Sequence, residues 1–136
     1  MQKQKQQAQL EKLQAKAKQR NIKIADSINL IARAMKEKQC EYSEGCLRIW
    51  VLMSQYKFND EVDLEQEYQS VFKMYDVVKE MPTHEARKKY SKKEIFKMDS
   101  ARWRTEKELE DGILADAEKL VAFFPTESKT KHVFAH

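Results

Sequence analysis

The residues with the clearest chemical potential form a basic block in the second half of the chain. Its cations are Arg87, Lys88, Lys89, Lys92, Lys93, Lys97, Arg102 and Arg104, and its aromatic residues are Tyr90, Phe96 and Trp103. A nucleic-acid interface needs several cations on one surface to neutralise phosphates, and exposed aromatic rings nearby stack on bases. The block therefore favours nucleic-acid binding. The alternative is that these aromatic side chains pack in the core and the cations are the solvated sides of the same helices.

A second basic segment opens the chain. Its cations are Lys3, Lys5, Lys12, Lys16, Lys18, Arg20 and Lys23, set against the single acid Glu11. A basic arm of this kind tracks a phosphate backbone and becomes ordered on binding. The alternative is a solvated helix extension or a disordered tail. Leu10 and Leu13 supply too little apolar face to anchor an amphipathic helix on a membrane, so no membrane partner is expected.

Residues 86–96 resemble a helix-turn-helix motif. That motif has a small residue in its first helix, a polar cap on its second and apolar anchors within the second helix. Ala86, Ser91, Ile95 and Phe96 match these roles. Tyr90 stands where the turn usually has glycine, and the turn is one residue short.

The residue types used in catalysis and metal binding are present without the spacing that this chemistry needs. The acidic cluster consists of Asp60, Glu61, Asp63, Glu65 and Glu67. It has neither EF-hand spacing nor a following Glu-x-x-His, and stabilisation of a helix dipole explains it. No histidine stands at a recognised triad spacing, and two glycines cannot build a phosphate-cradling loop. We therefore expect no enzymatic activity, no metal and no cofactor.

The cysteines and the apolar runs indicate the compartment. Cys40 and Cys46 form neither a disulfide framework nor a zinc pair, so we expect reduced thiols, with Cys46 packed as a small hydrophobe. The amino-terminal residues contain no apolar signal-peptide core. The longest nearly apolar run, residues 46–53, contains Arg48 and is far shorter than the ~20 residues that cross a bilayer. A cytoplasmic protein without a membrane span is expected.

Charge alternates along the chain, although the formal net charge is only +4. The net charge is +7 over residues 1–58, −6 over residues 59–86, +6 over residues 87–104 and −3 over residues 105–136. This alternation favours a charged partner or self-association over catalysis.

The elements that position these residues are predicted to be helices. Two Gly and two Pro in 136 residues are too few for the turns of a β-rich protein, and helix-forming residues dominate. We predict an all-α fold, a single small bundle of about four to five helices. Residues 1–20 form the basic arm or helix extension, residues 21–125 the helical domain, and residues 126–136 a flexible tail.

Apolar spacing predicts the first two helices. The core face of the first helix, which ends near Gln39, follows from the i, i+4, i+7, i+11 spacing of Ile24, Ile28, Ile31 and Met35. The polar residues before it are compatible with one continuous helix. The second helix is capped by Ser43 and is apolar nearly all round over residues 47–53, which predicts a place at the centre of the bundle.

Capping residues predict the remaining helices. The third begins at Asn59 and Asp60, carries an apolar stripe over residues 64–78 and ends at Pro82. Thr83 caps a short helix that ends at Tyr90. Two capping boxes then open further helices, one formed by Ser91 with Glu94 and one by Thr105 with Glu108. The last helix is stopped by Pro125, and its core face consists of Leu109, Ile113, Ala117, Leu120, Val121 and Phe124.

Three hypotheses about function follow. The first is a cytoplasmic, non-enzymatic, nucleic-acid-associated accessory or regulatory protein that binds mainly through phosphate contacts. The second is a protein-interaction module, an adaptor or inhibitor of a larger machine, that binds an acidic protein surface. Self-association through the stripe over residues 64–78 or the face over residues 24–35 is compatible with both. Convergence of the two basic segments on one face favours the first hypothesis, and their scattering favours the second.

Overall fold

The computed structural model describes residues 2–126, and within that range the secondary structure is helical with no strand. The helices are α1 (Gln2–Lys36), α2 (Tyr42–Gln55), α3 (Leu64–Glu67), α4 (Gln69–Val78), a 3-10 helix (His84–Lys89) and α5 (Lys92–Phe123). The all-α prediction is confirmed. The predicted flexible tail lies outside the described residues except for Thr126. That residue is buried, and its hydroxyl donates a hydrogen bond to the Asp26 carboxylate, so it belongs to the helical body.

The two long helices, α1 and α5, pack against each other in antiparallel directions. The side-chain amide of Asn29 on α1 donates to the carbonyls of Val121 and Phe124 at 3.2 and 2.6 Å. About two turns further along α1, Lys36 forms an ion pair of 3.1 Å with Glu118. Glu118 lies before Val121 in α5, so the two helices run in opposite directions. Because α1 runs without a break through residues 20 and 21, the arm is an extension of the first core helix.

The core lies where α1, α2, α4 and α5 meet. The predicted face of α1 is buried within the chain, as are Ile113, Ala117, Leu120 and Phe124 of α5 and Cys46 of α2. Burying such side chains contributes about 1.5–3 kcal/mol each. The α1 face and the most buried part of the stripe, Val71 to Val78, are covered inside one chain, so neither is available as a dimer seam.

Helix α2 is less central than its composition predicts. It packs against α1 and α4 on one side, where Ile49 and Met53 are buried, while Val51 on the other side is exposed. Trp50 is partly buried, and its ring stacks on that of Tyr75 on α4 with the two centroids 5.7 Å apart. The predicted Ser43 cap is wrong, because Glu41 is the N-cap residue and Ser43 is buried in the first turn.

The third predicted helix is divided in two and starts later than its acidic residues indicate. Asn59 and Asp60 lie in irregular structure, and Asp63 caps α3 by accepting a hydrogen bond from the Gln66 amide. The chain bends at Tyr68 before α4 begins. Helix α4 ends at Val78, well before Pro82. The acidic residues therefore lie before and within a short helix and do not form the first turns of a long one.

The segment that resembles a helix-turn-helix motif has a different structure. Its first helix is a single 3-10 segment in which Ala86 is exposed, and Thr83 occupies the N-cap position without a side-chain hydrogen bond. The second helix carries the predicted Ser91 and Glu94 capping box, which is confirmed. Because the first helix buries no residue against the second, the arrangement is not that of the motif.

Helix α5 is longer than predicted, since no new helix begins at Thr105. The Thr105 hydroxyl donates to the Ala101 carbonyl one turn earlier at 2.9 Å, as helix-interior threonines do. Gly112 lies in the middle of α5, where the helix crosses Ser70 at the start of α4. The predicted end of this helix before Pro125 is confirmed.

Candidate nucleic-acid interface

The amino-terminal half of α5 brings four of the predicted cations onto one outward face. Lys92, Lys93, Lys97 and Arg104 are exposed, and with 3.6 residues per turn they lie within an arc of about 140°. Lys107 continues the same face, although the sequence interpretation did not include it. None of these five side chains has an ion pair among the described residues, so their charges are directed to solvent.

The aromatic residues of the basic block are exposed, so the alternative in which they pack in the core is wrong. Phe96 is 68% exposed, Trp103 is 53% exposed and Tyr90 is 43% exposed. Phe96 and Trp103 stand seven residues apart on the same arc of α5 as the lysines, about 10.5 Å along the helix axis. Among the apolar residues of this segment, Ile95, Met98 and Ala101 are partly buried. These rings are therefore not core residues.

The carboxylates of the same segment are engaged within the protein. Glu94 accepts a hydrogen bond from the Ser91 backbone at 3.0 Å, and this bond lowers the pKa of the glutamate. Glu106 accepts from the Ser43 backbone amide at 3.0 Å. The third carboxylate, Asp99, binds two arginines. With its acids used internally, this half of α5 presents an excess of positive charge to solvent.

Arg87 and Arg102 have structural roles around Asp99. The Arg87 guanidinium donates two hydrogen bonds of 3.0 Å to the carboxylate, and Arg102 adds a third at 3.4 Å. The hydrogen bond from Arg87 holds the pKa of Asp99 below its usual range. Arg102 also donates to Glu41 at 3.2 Å. Arg102 therefore fastens α5 to the start of α2, and its guanidinium also lies over the Trp103 ring, 5.7 Å from the centroid.

Lys88 and Lys89 lie on the 3-10 helix beside this end of α5. Both are exposed, and Lys88 pairs with Glu85 at 3.1 Å in a solvent-facing contact. Exposed pairs of this kind contribute little to stability. Both lysines are therefore accessible to solvent beside the amino-terminal end of α5.

The basic residues of the arm lie at the opposite end of the molecule. Lys12, Lys16 and Arg20 are exposed on the part of α1 that extends beyond the end of α5. Because Asn29 is level with Val121 in the antiparallel pair, Lys16 and Lys97 are about 55 Å apart along the helix axes. The two basic segments do not converge on one face. Each forms its own end of the molecule. By itself, this separation favours the protein-interaction hypothesis over a shared phosphate-binding face. A nucleic-acid interface therefore depends on the α5 segment alone.

Within residues 2–126 the structure contains neither a cluster of metal-ligating side chains nor a membrane-spanning helix. No group of three or more His, Cys, Asp or Glu side chains in this range is arranged to hold a metal ion. Cys46 is fully buried, and this burial raises the pKa of its thiol, as expected for a packed cysteine. No helix in the same range is long and apolar enough to cross a membrane.

Comparisons with known proteins give a family and a relative. The family described as "Protein of unknown function (DUF2489)" matches residues 1–120. A protein of Haemophilus influenzae, described as "Uncharacterized protein", is 38% identical over 100 residues, which cover 73% of this chain. The chain spans 65% of the length of that relative. No solved structure matches.

Proposed function

The chain belongs to the family DUF2489, whose function is unknown, and we propose from its own surfaces that it is a cytoplasmic, non-enzymatic protein that binds single-stranded nucleic acid. The proposed binding surface is the outward face of the amino-terminal half of α5, called the α5 surface below. It consists of Lys92, Lys93, Phe96, Lys97, Trp103, Arg104 and Lys107.

One observation carries this proposal: two large aromatic rings are exposed among cations that have no partner in the described residues. Exposing Phe96 and Trp103 leaves apolar area in water, a cost that a folded protein usually avoids by burial. Single-strand-binding surfaces combine the same two features, because cations hold the phosphates while rings stack on the bases. Exposed rings also occur in protein interfaces, so it is their position among unpaired cations that favours nucleic acid.

The arrangement supports weak sequence selectivity. Phosphate contacts supply affinity without reading sequence, and stacking accepts any base because every base has a π-face. Lys92, Lys93 and Lys97 are on the first two turns of α5, where the positive end of the helix dipole adds to their charge. Trp103 is then positioned for a base further along the same strand.

A titration of a fluorescein-labelled single-stranded oligonucleotide tests the proposal. Anisotropy should show binding that weakens steeply between about 50 and 200 mM salt. Replacing both Phe96 and Trp103 with alanine should weaken binding by at least about tenfold, since each stacked base contributes about 1–3 kcal/mol. The variant Lys92→Ala with Lys97→Ala should lower the slope of log affinity against log salt by about 1.4 in magnitude.

The arm provides a matched control for these variants. Lys12→Ala with Lys16→Ala removes the same charge as the α5 lysine variant, but about 55 Å away. This control should leave both affinity and salt slope close to those of the unaltered chain. Equal losses in the two lysine variants, or no loss on removing the rings, would show that net charge alone attracts the oligonucleotide and would contradict the α5 surface.

A second function, protein binding, is favoured by a separate observation at the arm. Leu10, Leu13 and Ala17 continue the buried face of α1 beyond the body, and with Phe58 and Phe123 they line a groove of about 1070 Å³. Leu13 is 64% exposed. Such a groove suits an amphipathic helix of a partner protein. Lys18 and Lys57 on its lining favour acidic side chains beside the apolar face of that helix, with Asp60 as the one opposing charge.

The groove is tested by isolating the complex that the chain forms with its partner protein and treating this complex with nuclease. The proposal expects a stoichiometric complex, with an acidic helix crosslinked to Lys57, that is lost when Leu10 and Leu13 are both replaced by serine. Retention of the complex by this variant would contradict the groove. Loss of the complex on nuclease treatment would assign the interaction to nucleic acid.

A further inference from the structure

A second cleft lies on the inner side of the same half of α5. It has a volume of about 820 Å³ and is bounded by α2, the segment between α4 and the 3-10 helix, the 3-10 helix itself and α5. This volume falls within the range of about 300–1,000 Å³ that small-molecule sites occupy. Met98, Asp99 and Arg102 of α5 line it, whereas Phe96 and Trp103 do not, so it is separate from the α5 surface.

Four cations from three separate elements line this cleft. They are Arg48 from α2, Arg87 and Lys88 from the 3-10 helix and Arg102 from α5, together with the carboxylates of Glu44 and Asp99. The balance of these charges is positive. Arg48 is exposed, and the structure gives it no hydrogen bond or ion pair to another described residue. Its guanidinium is therefore available to a ligand.

The arginines bound to Asp99 are held in position before any ligand arrives. Arg87 makes its two 3.0 Å bonds to Asp99, and Arg102 is fixed from both sides by Asp99 and Glu41. A guanidinium has five donors, so each arginine retains donors for a second acceptor. Fixed donors of this kind suit the planar or tetrahedral oxygens of a carboxylate or phosphate.

The apolar part of the lining is aliphatic. It consists of Leu47, Val78, Met81, Pro82 and Met98, and no Phe, Tyr or Trp is among the described residues that line the cleft. A nucleobase would lack a ring to stack on here, whereas methionine side chains adapt to the shape of an alkyl chain. The lining thus favours an aliphatic body over an aromatic one.

The backbone is strained at the entrance to the 3-10 helix. His84, which lines the cleft, has φ of 41°, in the left-handed region that non-glycine residues rarely adopt. Such a conformation costs about 1–3 kcal/mol and persists where the surrounding structure enforces it, commonly at ligand sites. His84 begins the 3-10 helix that carries Arg87 and Lys88 to the cleft.

We propose that this cleft binds a small amphiphilic anion, with its carboxylate or phosphate head at Arg48 and the arginines around Asp99 and its alkyl chain on Leu47, Val78, Met81 and Met98. Head and chain are both required. The cations recognise the head but give no apolar area, and the aliphatic lining buries the chain but does not distinguish it from an alcohol.

Isothermal titration calorimetry on the full chain tests this with four probes. Decanoate and octyl phosphate, both kept below their micelle concentrations, represent the two possible heads. Decanol lacks the charge, and inorganic phosphate lacks the chain. The proposal expects saturable binding of decanoate or octyl phosphate, and the tighter of the two identifies the head. It expects binding at least about tenfold weaker for decanol and for inorganic phosphate.

A pair of arginine variants localises the binding. Arg48→Ala should weaken binding of the preferred probe by at least about tenfold, because it removes a charge-assisted hydrogen bond. Since Arg48 is exposed and outside every ion pair given for the described residues, this variant should fold normally. Arg20→Ala removes the same charge from the exposed arm, at the other end of the molecule, and should leave binding of the probe unchanged.

The results that overturn the proposal are specific. They are failure of both charged probes to bind at about 1 mM, equal binding of decanol, equal binding of inorganic phosphate, or equal losses in the two arginine variants. None of them bears on the nucleic-acid proposal, because Arg48→Ala leaves the α5 surface intact and its oligonucleotide binding should be unchanged.

Discussion

At the scale of single residues, one buried carboxylate joins two helices. Asp116 of α5 is 8% exposed and accepts hydrogen bonds of 3.0 and 3.1 Å from the backbone amides of Ser70 and Val71. These amides belong to the first turn of α4, where N–H groups have no partner within their own helix. Asp116 thus acts as a cap supplied by another helix. Its burial raises its pKa, although the two hydrogen bonds act in the opposite direction.

Two substitutions at Asp116 distinguish what its hydrogen bonds contribute to stability from what its charge contributes. Asp116→Ala leaves two amides of α4 without an acceptor and should lower the free energy of unfolding by about 1–3 kcal/mol. Asp116→Asn keeps an acceptor oxygen and should lose less. Urea unfolding of the three proteins measures this. A loss in the asparagine variant as large as in the alanine variant would show that the charge, and not the acceptor, is required.

The same substitution has a pH signature. A carboxyl group whose pKa is higher in the folded than in the unfolded state, where it is about 3.9, stabilises the fold below that value. This contribution is lost as pH rises through the folded pKa. The stability of the asparagine variant relative to the unaltered protein should therefore increase as pH rises from about 4 towards neutrality. An opposite trend in unfolding measured across this range would contradict the raised pKa.

At the scale of elements, the crossing of α4 and α5 depends on a glycine inside a helix. A Cβ atom placed on Gly112 would lie 2.9 Å from the Cβ of Ser70, closer than real Cβ contacts allow. Gly112 lies one turn before Asp116, so close approach and cross-helix capping occur at the same crossing. The helix accepts the lower propensity of glycine, about 1 kcal/mol relative to alanine, in order to make this contact.

Gly112→Ala should therefore destabilise the protein despite its better helix propensity. Overpacking costs about 1–3 kcal/mol. This cost should exceed the propensity gain, because the Ser70 backbone N–H is hydrogen-bonded to the Asp116 carboxylate and Ser70 cannot easily move away. Adding Ser70→Gly should restore part of the loss, whereas Ser70→Gly alone should not stabilise. Thermal unfolding of the unaltered chain, the two single variants and the double variant measures the coupling free energy between Gly112 and Ser70. A higher melting temperature for Gly112→Ala would refute the steric argument.

Helix faces were predictable from the sequence, whereas several helix boundaries were not. The spacing of Ile24, Ile28 and Met35 predicts their burial because period alone determines which side chains share a face. Thr105 with Glu108 has the same pattern as Ser91 with Glu94, yet only the latter opens a helix. A capping pattern is local, and it does not say whether the residues before it are already helical.

At the scale of the whole molecule, the two long helices are offset so that each extends past the other. Every residue from Gln2 to Lys16 is exposed, whereas the face of α1 from Ile24 to Met35 is buried. An isolated helix of this length is marginal in water. The arm therefore depends on continuity with the packed part of α1 for its helical structure.

Hydrogen exchange should reveal this difference within one helix. Amides of residues 2–16 should exchange with little protection, while those of residues 24–35 should approach the protection of global unfolding. Exchange on the intact chain, followed by quenching, pepsin digestion and mass spectrometry of the peptides, resolves the two parts. Adding the oligonucleotide should leave the arm unprotected if binding is at the α5 surface. Equal protection of both parts without any ligand would mean that the arm has a partner.

The offset also explains which parts of the candidate site the sequence predicted. The lysines and aromatic residues were identifiable by type, but the exposure of Phe96 and Trp103 depends on α1 ending at Lys36 and leaving that side of α5 uncovered. Arg102 was predicted to bind nucleic acid, and its direction is set by Asp99 and Glu41, the latter distant in sequence. The local sequence pattern could not predict these features, because each depends on the packing of residues that are far apart in the sequence.

The pairing of α1 with α5 has a consequence for synthesis on the ribosome. Asn29 and Val121 are separated by 92 positions, so the first long helix is made early and its partner last. At about 5–20 residues per second, α1 waits roughly 5–18 s for its contacts with α5, whereas α2, which also packs against α1, is made directly after it. During that interval a nascent chain exposes the part of the α1 face that α5 covers in the folded protein, and exposed apolar surface of this kind is what chaperones bind.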